Sequence, residues 1–280
     1  MSGQENRDWS FLDRPKHLAA ELLRSHNMLT YPVPVASIAE AEGATVIYEP
    51  LAADGVLLRE NDGYLMKVNL AASPTRRRYS VAHELGHMIC DKMTGTHPAV
   101  RYRAASASFG IRAEERFCQQ FASYLLMPDD SIADFNAWEK VRIPELRLRA
   151  RKLNVSAHAF LWRVLEQLPY EGGAICFRVM GKPNNRADIK LRLDWDVFPK
   201  TPKSFLARYD AVPDSSPIRQ VLGHPHQRLC RDVKLDFGSL RGHRNLLIQA
   251  FGQTVLTVVL PPEVDPDIFK CALQVEAEGL

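Results

Sequence analysis

Residues 73–90 read SPTRRRYSVAHELGHMIC. Ser73 followed by Pro74 is a helix start, because serine suits the N-cap and proline the first helical position. The spacing predicts a helix from there to about Cys90. Residues four apart share one helix face, so His83 and His87 stand one turn apart on the same side. Two imidazoles so placed can chelate one Zn²⁺ at roughly 2.0–2.1 Å. Glu84 projects ~100° round the helix, outside that ligand pair but within reach of water beside the metal, where it can act as general base. Gly86 reads as leaving space beside the metal, at a helix-interior cost of about 1 kcal/mol. Val81, Ala82, Leu85, Met88 and Ile89 are apolar, so the helix is expected to be buried. Two buried imidazoles and a carboxylate would be costly without partners, and a metal removes that objection.

A catalytic zinc takes three protein ligands and leaves a fourth position open. The next helix is expected from about Arg112 to Leu126, ended by Pro128. Glu114 and Glu115 stand at its front, ahead of the apolar Phe117, Cys118, Phe121, Ala122, Tyr124, Leu125, Leu126 and Met127. Either carboxylate can be the third ligand, and both also suit a first helical turn, where they complement the helix dipole. Both continue into apolar stripes, so periodicity leaves the choice at Glu114 or Glu115. Cys90 shares the helix face of His83 and His87, and Cys118 follows Glu115 by three. Each is weighed as an extra ligand or redox sensor, with buried core the commoner role. Tyr79, Tyr102, His97 and Tyr124 are candidate donors to a developing oxyanion.

The stretch Arg78–His87, RYSVAHELGH, followed by Glu115–Pro128, ERFCQQFASYLLMP, resembles the ImmA/IrrE family of metallopeptidases. The family pattern is roughly RFxxAHELGH and then ExxANxFAxxLLMP. Matching Phe121-Ala122 and Leu125–Pro128 puts the family's metal-binding Glu on Glu115. His83 and His87 match its histidine ligands and Glu84 its catalytic glutamate. Asn69 and Arg78 also match, Arg78 as a residue that braces the site. Cys118-Gln119 departs from the family's Ala-Asn. The resemblance is strong over about residues 55–130. It implies a zincin-like fold and a cytoplasmic zinc endopeptidase that cleaves an Xre-type helix-turn-helix repressor, in stress responses or mobile-element induction. It also implies a longer, IrrE-like architecture whose C-terminal domain is similar to GAF domains.

Outward from these motifs the chain reads as α+β. Helices are expected over Pro15 to about Met28 and over Val35–Ala41. Strands are expected at Ala44–Tyr48, Gly55–Arg59 and Gly63–Leu70, the last two joined by an Asn61-Asp62-Gly63 turn. Together these make a peptidase domain over residues 15–135, a small sheet plus the active-site helix. Residues 144–153 and 156–168 are helical and make a helix-turn-helix-like segment within 136–170. Ala174–Met180, Ile189–Leu193, Val233–Phe237, Leu246–Ala250 and Thr254–Leu260 make residues 171–280 a β-rich domain suited to sensing or regulation. In it, His224, His226 and Cys230 are the nearest approach to a second metal constellation, and Pro225 makes that stretch a loop.

The chain has 280 residues and a net charge of +3, too small to imply nucleic-acid binding. Residues 1–140 carry 15 Lys and Arg against 18 Asp and Glu, and residues 141–280 carry 21 against 15, so the two halves have different surfaces. Arg142, Arg147, Arg149, Arg151 and Lys152, with His158, Arg163 and Gln167 on the following helix, raise the alternative of a DNA-binding or signal-sensing regulator that rarely cleaves. Most of that second helix reads as core, so direct DNA binding is not favoured. No apolar run approaches the ~18 residues of a membrane span, and no secretory signal is read at the N-terminus. Five scattered cysteines without CxxC fit a reducing cytoplasm.

Overall fold

A computed structural model describes residues 14–28, 30–60, 63–94, 109–180, 190–200, 216–222, 226–237, 240–251 and 253–269. His97, Tyr102 and His224 lie outside the described residues. The chain divides into two compact units, residues 1–132 with 150–156, and residues 133–149 with 157–280. Both are mixtures of helix and strand, an α+β composition.

The first unit runs α1 (Pro15–Ser25), α2 (Val35–Ala41), β1 (Ala44–Glu49), β2 (Gly55–Glu60), β3 (Gly63–Asn69), α3 (Pro74–Thr94), α4 (Phe109–Leu126) and α5 (Asp129–Ile132). The sheet order is β1-β3-β2, with β1 parallel and β2 antiparallel to β3. The hairpin closes with Glu60 opposite Gly63, and Asn61 and Asp62 of the expected turn lie outside the described residues. Met66 and Val68 of β3 are fully buried, and α3 packs on β2 and β3. On α3, α4 in turn packs, and α1 on α4. Asn69 ends β3 and its side chain accepts from the backbone of Ala71 at 3.0 Å and of Leu51 at 3.4 Å.

Helix α3 begins at the Ser-Pro signal, where the Arg76 backbone N–H donates to Ser73 Oγ at 3.3 Å. It runs a turn past the expected end at Cys90. Its last turn is held from outside the helix. The Tyr64 hydroxyl donates to buried Asp91 at 2.5 Å, and Lys92 donates to the Glu42 carbonyl at 2.7 Å and to its carboxylate at 3.0 Å. Burial and the Asp91 bond push the Tyr64 phenol up to about 12. Gly86 serves a different purpose from the one its position suggests. A Cβ there would stand 3.1 Å from Cys118 Cα and 3.2 Å from Cys118 Cβ and Sγ. The glycine therefore lets α3 and α4 approach closely, rather than opening space beside a metal.

The second unit takes the start of α6 (Ile143–Lys152), then α7 (Ala157–Gln167), β4 (Gly173–Met180), β5 (Lys190–Val197), α8 (Pro217–Gln220), β6 (Arg228–Phe237), β7 (Leu240–Phe251) and β8 (Thr254–Val259). Its sheet is antiparallel throughout, in the order β5-β4-β8-β7-β6. Ile175, Phe177, Leu191, Leu246, Ile248 and Val255 form its core with Ile218 and Val221 at α8, and α7 packs on β5. Strands β6 and β7 are longer than their apolar runs suggest. A register shift between Cys230 and Val233 leaves Arg231 and Asp232 exposed in mid-strand, which breaks the alternation.

Of the polar side chains singled out in the sequence, Arg151 and Lys152 are exposed, and those of the second unit have partners within it. Arg142 donates to the Glu139 carbonyl at 2.5 Å and lies 5.0 Å over the Phe269 ring. Arg147 lies 3.4 Å over Phe251, and Arg149 pairs with Asp134. His158 meets Trp195 edge-on at 5.1 Å, Arg163 is buried beside Glu166, and Gln167 donates to the Phe135 carbonyl. Among the described residues, no helix is long and apolar enough to cross a membrane.

Candidate metal centre

The buried middle of α3 carries His83, Glu84 and His87, at 7 %, 8 % and 4 % exposure. Helix α4 starts at Phe109, not Arg112, so Glu114 and Glu115 fall beyond its first turn and outside the reach of a dipole role. Their close partner is α3 itself. His83 Nε2 lies 3.4 Å from one Glu115 oxygen and His87 Nε2 lies 3.3 Å from the other. The three donor atoms lie within 4.8 Å of one another.

Those separations are long for N–H···O hydrogen bonds, which cluster near 2.9–3.0 Å. They suit ligands of one ion, since donors roughly 2.0–2.1 Å from a tetrahedral centre stand about 3.3 Å apart. Two imidazoles and one carboxylate are also a donor set that zinc accepts, so the residues present fit a divalent metal, zinc best.

Glu114 is also at the centre, on the far side of a histidine. His87 Nδ1 lies at hydrogen-bond distance, 2.9 Å, from Glu114 Oε1, and both residues are buried. Residue spacing alone offered Glu114 and Glu115 as alternatives, and the fold employs both. Cys118 is fully buried against Gly86, and burial together with the Cys90 hydrogen bond raises its thiol well above the ordinary value. A protonated, buried thiol has core character. Gln119 is exposed.

A cavity of about 350 Å³ opens beside the three donors, and Glu84 lines it. The start of edge strand β2, at Gly55 and Val56, also lines it. A Cβ on Gly55 would stand 2.9 Å from Glu84 Oε1, so this glycine sets how near the strand comes to the base. The only sequence signal for it was a glycine opening a strand. Of the three arginines that begin α3, Arg76 is the one at the cavity. It pairs with Asp54 at 2.5 Å, which raises its basicity, and lies 5.3 Å over the Tyr79 ring. Arg78, expected to brace the centre, instead donates to the Val33 carbonyl at 2.8 Å. Of the oxyanion candidates, Tyr79 lines the cavity and stacks 6.0 Å from His83. Tyr124 faces a separate cavity of about 250 Å³ with Tyr31 and Pro128. His226 is exposed and Cys230 half-buried, and among the described residues they join no metal-ligating group.

Residues 39–164 match the IrrE N-terminal-like domain family. Over 180 residues the chain is 30 % identical to the radiation response metalloprotease IrrE of Deinococcus radiodurans, which covers 61 % of this chain and 50 % of that protein. The chain thus spans half the length of the curated relative it matches. A solved Mycobacterium tuberculosis transcriptional regulator superposes with a TM-score of 0.46 at 16 % identity, covering 92 % of this chain and 84 % of the other.

Proposed function

We propose that the chain, similar over residues 39–164 to the IrrE N-terminal-like domain family, is an ImmA/IrrE-type metallopeptidase, a cytoplasmic zinc endopeptidase acting on an Xre-type helix-turn-helix repressor. The observation that carries the reading is the convergence of His83 Nε2, His87 Nε2 and the Glu115 carboxylate beside a cavity that Glu84 lines. His83, His87 and Glu115 hold the zinc. When bound, the ion supplies a Lewis acid to the scissile carbonyl and to the attacking water.

The remaining steps belong to the chain's own residues. Edge strand β2 has one side unpaired within its sheet, so an extended substrate can align along it by main-chain hydrogen bonds. Glu84 takes a proton from water as its oxygen bonds to the carbonyl carbon. The C–N bond then breaks, and Glu84 passes that proton to the leaving amine. Tyr79, which lines the cavity, would donate to the carbonyl oxygen. The second unit, one antiparallel sheet with β4 and β8 paired at its centre, supports a GAF-like regulatory role. Cleavage of the repressor would relieve repression of stress-response or mobile-element genes. Engagement of Arg142, Arg147, Arg149 and Gln167 within their own unit supports the peptidase reading over a DNA-reading one.

The test pairs metal analysis with cleavage of the Xre-type repressor encoded nearest the chain's gene. The wild-type chain should carry about one zinc, and alanine at His83, His87 or Glu115 should lose it. Glu84→Gln should keep the zinc and fold while cleavage falls about 10²–10⁴-fold. Undiminished proteolysis by Glu84→Gln refutes the mechanism, and an intact repressor beside a digested generic peptide refutes the substrate.

A further inference from the structure

We propose that Glu114 is a positioning residue, which fixes through His87 the ring nitrogen that faces the metal centre. The inference rests on the zinc reading above. Glu114 and Glu115 are neighbours on α4, about 100° apart round the helix, yet both carboxylates meet His87. They meet it at opposite edges of the ring, Glu114 at Nδ1 across 2.9 Å and Glu115 at Nε2 across 3.3 Å. The first separation is that of a good hydrogen bond and the second is not.

Both carboxylates can only accept, so the single proton of the neutral ring goes to Nδ1, where the hydrogen bond is the better one, and the lone pair is left on Nε2. Glu114 is 6 % exposed and His87 4 %, so water does not compete for this bond. The ring therefore has its tautomer and its rotation set before any ion arrives. His83 lacks such a device. Its Nδ1 is buried and has no hydrogen-bond partner among the described residues. Of the two histidines, His87 is the pre-oriented one, and the adjacent carboxylates divide the work, Glu114 orienting and Glu115 ligating.

The test uses the full chain. Nitrogen-15 spectra of the metal-free protein, with the His87 signals assigned by their loss in His87→Gln, should show the Nδ1–H tautomer at His87. Glu114→Ala should lose that preference and lower zinc affinity about 10–100-fold in competition with a chelator. Glu114→Gln places an amide oxygen at the same point and should restore both to within a few-fold of wild type. An Nε2–H tautomer in the wild-type chain overturns the proposal. So does unchanged affinity in a folded Glu114→Ala, or failure of Glu114→Gln to rescue. Two zinc ions per wild-type chain also overturn it, because His87 Nδ1 would then be a ligand beside Glu114 and Cys118. If Glu114→Ala does not fold, the wild-type tautomer and Glu114→Gln decide. Absence of zinc binding by wild type defeats the zinc reading alone, since the metal-free tautomer still reports on Glu114.

Discussion

Replacing Gly86 by alanine sets two effects of opposite sign against each other. An interior helical glycine costs about 1 kcal/mol relative to alanine, so the substitution gains that much if the site is open. The site is not open. The new Cβ would stand 3.1 Å from Cys118 Cα and 3.2 Å from Cys118 Cβ and Sγ. The nearest atom is backbone in a helix whose Phe117, Cys118 and Phe121 are all fully buried, so α4 yields only by moving as a body. Overpacking of that kind costs roughly 1–3 kcal/mol. The net expectation is a loss of about 0–2 kcal/mol in the metal-free protein, read from urea unfolding. Moving α4 also moves Glu114 and Glu115 away from His83 and His87, so zinc affinity should fall by more than the stability change accounts for. A Gly86→Ala chain that gains about 1 kcal/mol and binds zinc as wild type does would refute the close-approach argument.

Tyr64→Phe tests the clamp on the last turn of α3. Loss of the hydroxyl bond to Asp91 should cost about 1 kcal/mol at pH 8. The folded phenol titrates near 12 and the unfolded one near 10, so the folded state holds the extra proton between them and wild-type stability falls as pH rises through that window. The variant should lack this decline in urea midpoints measured from pH 8 to 11.5, and an equally steep decline would show that Tyr64 is not its source. Arg147→Ala removes the guanidinium from Phe251 and should destabilise by about 0.5–1 kcal/mol. Salt-dependent duplex binding should be the same before and after, and a drop of one contact in the salt slope would return Arg147 to the phosphate-binding role.

Much of the fold was legible wherever the chain carries local punctuation. Val35–Ala41 follows two prolines, β2 and β3 pair as a hairpin up to Glu60 opposite Gly63, and α3 opens at Ser73-Pro74. What local pattern could not supply was the end of α3. Its last turn is held by Tyr64 and Glu42, 27 and 50 residues away from their partners, and no window along the helix contains them. Strands β6 and β7 were under-read for a related reason. The half of each strand that lacks an apolar run pairs with the half of the other that has one, and the bulge at Arg231-Asp232 shifts the alternation by a residue.

The centre divides in the same way. Two histidines four apart on one helix can be placed from spacing alone, because helix geometry fixes their relation before any tertiary contact forms. The carboxylates come from a second helix, and their roles depend on how closely α4 lies against α3. That distance is set by Gly86 against Cys118, a contact across the helix pair with no signature in either motif read alone. With the helices that near, His87 lies between two consecutive glutamates, and each takes a different nitrogen of the ring. Periodicity treats neighbours on a helix as rivals for one direction. An imidazole has donor and acceptor on separate edges, so two neighbours can serve it at once, and a choice between Glu114 and Glu115 was not one the chemistry required.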